Sequence, residues 1–99
     1  MTRFHPQTIG SIMAIGADGL ACHIALDGSH DWVIIHAASH RVLARATTMK
    51  KAQAAIEKVL TVSQAQHIDW TQSVVDLSFD QQTPVDEAWQ DLRREGMIK

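Results

Sequence analysis

The chain has 99 residues, 45% of them hydrophobic and 20% charged, and carries a net charge of −2. That composition supports one self-sufficient core and excludes a disordered chain. The single cysteine, Cys22, excludes an internal disulfide, and no apolar run approaches the roughly 20 residues of a membrane span.

The opening stretch MTRFHPQ lacks the apolar core of a signal peptide, so a cytoplasmic chain without membrane association is expected. Residues 1–8 read as an irregular lead-in, because Pro6 disfavours helix at His5. A first strand is expected over residues 9–15, weakened by Gly10 and Ser11. Gly16-Ala17-Asp18-Gly19 is turn chemistry, and residues 20–26 then alternate with Leu20, Cys22, Ile24 and Leu26 on one face. Asp27-Gly28 makes the next turn before Trp32–His36, and residues 37–40 reverse the chain into Arg41–Ala46. The result is an antiparallel meander of three to four strands.

At Thr48 the hydrophobic period changes from two to 3.6. Thr48 is the expected N-cap of a helix over residues 49–60, with Met49, Ala52, Ala55, Ile56, Val59 and Leu60 as its apolar side. Residues 61–72 give no clear pattern. In residues 73–79, Val75, Leu77 and Phe79 alternate with Asp76, Ser78 and Asp80 outward, as in an edge strand. A C-terminal helix follows, with Thr83 as N-cap, Pro84 at N1, Asp86 at N3 and Gly96 as its stop. Its apolar stripe is Val85, Ala88, Trp89 and Leu92. The fold class is therefore α+β in one domain, 1–99: a meander packed by a helix, then an edge strand and a C-terminal helix.

Strand parity makes a statement about function. Turning Cys22, Ile24, Leu26, Val33, Ile35, Val42 and Ala44 toward the first helix sends Trp32, Ile34, His36, Arg41, Leu43 and Arg45 to the other face. Ala21, His23 and Ala25 go with them. That face carries large apolar groups where a wet face should be polar, so something must cover it. The cover is the chain's own C-terminal half, a second copy or partner protein, or nucleic acid. The charge pattern adds a second candidate surface. Five bases and one acid lie in residues 41–58, whereas five acids and no base (Asp69, Asp76, Asp80, Asp86 and Glu87) lie in residues 69–87.

Three strands followed by a helix, with Trp32, Arg41 and Arg45 on the outer sheet face, make residues 20–60 similar in arrangement to sheet-type DNA readers of the AP2 and integrase-arm kind. That resemblance implies a small regulator in which Arg41 and Arg45 contact bases or phosphates, against a negative net charge.

Five histidines, His5, His23, His30, His36 and His40, fall in the first forty residues. By parity His23 and His36 share a face, and with His40 they give three potential metal ligands, one short of a structural zinc site. Cys22 sits at a core position, where a thiol acts as a small apolar group. Asp27 and Asp31 bracket a turn and read as turn formers. Neither a G-x-S-x-G elbow nor an H-E-x-x-H motif is present, so no enzyme, cofactor or bound metal is expected. The expected function is a non-catalytic protein-binding module acting through the sheet face or the acidic surface, with another protein or a second copy as partner. Small, acidic chains poor in motifs resemble in type the accessory and inhibitor proteins of phages and plasmids. The DNA regulator and a histidine-cluster metal protein are the alternatives.

Overall fold

The computed structural model of the protein describes residues 3–99 (for residue 79, its backbone). Among the described residues five strands, β1 (His5–Ile9), β2 (Ile12–Ala17), β3 (Leu20–Ile24), β4 (Trp32–His36) and β5 (Arg41–Ala46), form one antiparallel sheet in sequence order. Two helices follow, α1 (Met49–Ala65) and α2 (Phe79–Arg94). The class is α+β as read from sequence, with a longer meander. Gly10 and Ser11, which looked like weaknesses within one strand, form the turn between β1 and β2, and the supposed lead-in is the edge strand β1. Pro6 is tolerated there because an edge strand has an N–H that need not join the ladder.

α1 begins as expected, with Thr48 Oγ1 accepting the Lys51 N–H at 3.1 Å, and runs a turn further, to Ala65. It packs over β3, β4 and β5, and α2 lies along it. Leu20, Cys22, Ile34, Ala44 and Ala46 of the sheet meet Ala52, Ile56 and Val59 of α1 and Val85, Ala88 and Leu92 of α2 in the main core. The opposite face holds a smaller cluster of Ile9, Ala14, Ala21, Ala25, Val33 and Ile35. The sheet curls so that its first turn reaches the β4–β5 loop; a Cβ on Gly10 would stand 3.9 Å from His40 Cε1.

This distribution corrects the parity of β4. Cys22 pairs with Ile34 and His23 with Val33, so Trp32, Ile34 and His36 face the helices and Val33 and Ile35 face away. A bulge then breaks the alternation of β5. Ile34 pairs with Ala44 and Ile35 with Val42, leaving Leu43 as the extra residue. Arg41 and Leu43 thereby lie on the helix side with Ala44 and Ala46, and Val42 and Arg45 lie on the other.

Two further expectations fail. Residues 73–78 join no strand among the described residues; they form an irregular segment with Val75 and Leu77 half-buried and Asp76 and Ser78 exposed. α2 starts five residues before Pro84, with Ser78 as N-cap, so Thr83 and Pro84 are inside the helix. Gln81 sets this earlier start. Its Oε1 accepts the Ser78 N–H at 3.2 Å and its Nε2 donates to the Gln66 carbonyl at 2.9 Å, joining the two helix ends. Among the described residues no helix is long and apolar enough to cross a membrane.

Candidate functional site

The extra turn of α1 has a consequence in Ser63, which is buried and donates to the Val59 carbonyl at 2.6 Å. Beyond α1 the chain reverses, with His67 at φ 57° and the Ile68 N–H bonded to Ser63 O at 2.9 Å. Asp69 stabilises the next turn by accepting from the Thr71 hydroxyl, from Gln72 Nε2 and from the Thr71 N–H, and these bonds hold its carboxyl below its ordinary range. The reversal seats Trp70 in the protein interior. The Trp70 indole N–H donates to Ser63 Oγ at 2.7 Å, and its carbonyl accepts from His36 Nε2 at 2.8 Å. The two rings meet edge to face at 5.9 Å. Among the described residues no buried side-chain nitrogen or oxygen lacks a partner.

Trp70 forms the floor of a cleft of about 560 Å³ between the β4–β5 hairpin, residues 73–77 and the middle of α2. Leu43, Val75, Leu77 and Trp89 form its apolar walls. His36, Ser39 and Arg41 stand on the sheet side, and Asp76 and Asp86 on the opposite side. Val74 projects at its rim with 73% of its surface exposed. At His36 both nitrogens are engaged, because Ser39 Oγ lies 2.7 Å from Nδ1. A carbonyl only accepts, so Nε2 carries the proton, and in the neutral ring Nδ1 accepts from Ser39.

The sheet residues singled out from sequence therefore separate into three groups. His36, Arg41 and Leu43 converge on the cleft. Ile34 is completely buried under the helices, and Trp32 is half-buried against the same core. Arg45 lies on the far face, paired with Asp27 at 2.9 Å and 3.5 Å from Asp31. Arg41 and Arg45 thus share no face, and Arg45 is already neutralised. The acidic residues also divide: Asp76 and Asp86 line the cleft, Asp69 serves its own turn, and Asp80 and Glu87 are exposed on α2.

The histidine cluster does not assemble. His23 and His36 lie on opposite faces of the sheet, and among the described residues no three His, Cys, Asp or Glu side chains converge as metal ligands. Sequence reasoning named none of Trp70, Trp89 and Ser39 as site residues, placing Trp89 on the apolar stripe of the C-terminal helix and Trp70 only in the C-terminal half that could cover the sheet. The available signal was two tryptophans flanking a half-apolar stretch and a Ser three residues beyond a His across a turn. No family model, curated protein or solved structure matches this chain.

Proposed function

We propose that this protein is a binding module whose cleft receives a short segment of a partner protein. The observation that carries the reading is an apolar cleft, floored and walled by Trp70, Leu43, Leu77 and Trp89, with opposite charges on its two sides. Concave surfaces that combine aromatic anchors with a few polar groups are suited to taking one apolar side chain and orienting it. Asp76 and Asp86 favour a base next to that anchor, and Arg41 favours a carboxylate on the sheet side. A reducing, cytoplasmic setting suits the buried free thiol of Cys22. The small size and the acidic stretch fit an accessory or inhibitor role.

Selection from a displayed random-peptide library tests this, with Trp89→Ala protein used for counter-selection. Enriched peptides should share an apolar residue beside Lys or Arg and lose affinity for Asp76→Asn/Asp86→Asn protein. A library that yields nothing beyond what the Trp89→Ala protein also retains would remove the reading.

A further inference from the structure

We infer that Ser39 is a nucleophile, activated by His36 for attack on acyl compounds that enter the cleft. The inference goes beyond peptide binding and stands without it. Three groups lie in the order such chemistry requires: a solvent-exposed hydroxyl, an imidazole 2.7 Å away, and an acceptor 2.8 Å from the imidazole's other nitrogen. The acceptor is the Trp70 carbonyl, fixed in turn by the Trp70–Ser63 bond at 2.7 Å. It holds the proton on Nε2, so the lone pair of Nδ1 is directed at Ser39. His36 is 5% exposed and cannot swing away to solvent. The Arg41 N–H donates to Ser39 Oγ at 3.3 Å, which fixes the hydroxyl and favours negative charge on it. The Arg41 side chain borders the same cleft, a cation available to a developing oxyanion.

The step balances without any further reagent. Ser39 Oγ bonds to the carbonyl carbon of an ester or thioester while its proton passes to Nδ1, and Trp70 O shares the charge of the imidazolium through Nε2–H. Collapse of the tetrahedral adduct breaks the bond to the alcohol or thiol, which leaves with the proton from Nδ1. Water repeats the sequence on the Ser39 ester and releases the acid. The apolar walls, Leu43 and Trp89 among them, assign the substrate class: esters or thioesters of apolar acids.

A fluorophosphonate probe tests the nucleophile, with the modified residue located by mass spectrometry. Ser73 borders the same cleft and is the internal control. Ser39 should be labelled about 100-fold faster than Ser73, the low end of general-base assistance. His36→Gln should abolish that preference. With p-nitrophenyl butyrate the wild type should release a burst of one equivalent of nitrophenol per chain, and Ser39→Ala should release none. Because His36→Gln alters a buried residue, a second comparison leaves the imidazole untouched. The thiol introduced by Ser39→Cys should react with iodoacetamide roughly tenfold faster than that introduced by Ser73→Cys, as a base-paired thiolate does. Equal labelling of Ser39 and Ser73, or equal alkylation of the two introduced thiols, overturns the inference.

Discussion

At Gly19 the sheet and the Trp70 loop touch backbone to backbone. A Cβ there would stand 2.3 Å from both the carbonyl carbon and the carbonyl oxygen of Trp70, and φ is +95°. Two penalties therefore add in Gly19→Ala. The backbone penalty is about 1–2 kcal/mol. The contact with an immovable carbonyl adds an overpacking cost of about 1–3 kcal/mol. Gly28→Ala separates the two, since Gly28 also has positive φ but nothing within 4 Å of the added carbon. Urea midpoints should fall for both variants, and further for Gly19→Ala by the cost of that contact. Equal losses would mean that the Trp70 loop yields. Cys22 is a simpler case. Burial pushes its thiol up to about 11, so at neutral pH it is protonated as well as enclosed. Its contribution to stability is complete below the ordinary thiol range and is lost as pH rises through the folded value. Ellman's reagent should leave it unmodified in the native protein and titrate one thiol per chain in denaturant.

Gln81 has the same linking position at the level of elements that Trp70 has among residues. It caps α2 and holds the end of α1, so Gln81→Ala removes two hydrogen bonds and should cost about 1–3 kcal/mol. Helix content by circular dichroism should fall with it, because α2 can then start at Thr83–Pro84. A variant with unchanged helicity and midpoint would show that Ser78 suffices. That second start is the one the Thr83-Pro84 pair prefers, and the Ser78–Gln81 capping box together with the contact to Gln66 favours the earlier one. The same distinction separates the legible parts of the fold from the rest. Thr48 and the α1 stripe from Ala52 to Leu60 depend on neighbours in sequence and match the structure, whereas Met49, expected on the same stripe, is exposed. The period-two pattern of residues 73–78 was also real, since Val75 and Leu77 are half-buried and their neighbours exposed. One-sided burial produces that pattern with or without a ladder, so alternation alone does not decide between a strand and an irregular loop. The parity of β4 depends on how many residues the 25–31 loop absorbs, and a difference of one exchanges the faces. The bulge at Leu43 has no sequence mark. Yet it is the bulge that places Arg41 and Leu43 with His36 on the cleft, so those three of the sheet residues singled out from sequence meet there while Trp32, Ile34 and Arg45 do not.

Across the whole molecule, the basic and acidic stretches do not stack as their separation in sequence invites. Lys58 reaches Asp91 of α2 and Glu95 at its C-cap, beyond the acidic stretch, and Arg45 turns back to Asp27 and Asp31. Asp31 is the centre of this second group. Its side chain is 8% exposed, Lys99 Nζ lies 2.8 Å from both carboxylate oxygens, and the Lys99 N–H donates to the Arg45 carbonyl at 2.8 Å. The segment after α2 is thereby tied to β5 and to the loop before β4, closing the main core at Ile98. The Lys99 hydrogen bonds, and Arg45 after them, hold the Asp31 carboxyl below its ordinary range. Depression fixes the sign. As pH falls, the unfolded chain takes up the proton first, so the contribution of Asp31 is complete above the ordinary carboxylate range and disappears as pH drops through the folded value. Asp27, also depressed, chiefly by its bonds to Ser29 and then by Arg45, acts in the same direction. Urea midpoints followed from neutral to acid pH should therefore fall steeply for the wild type. Asp31→Asn should start lower at neutral pH and fall less, the two curves converging at the acid end. Lys99→Ala should flatten the curve in the same way while leaving the carboxylate in place, which separates loss of the ion pair from loss of the charge. Parallel curves for all three proteins would place the acid sensitivity elsewhere and leave the Asp31–Lys99 tie without a part in holding the last residues to the sheet.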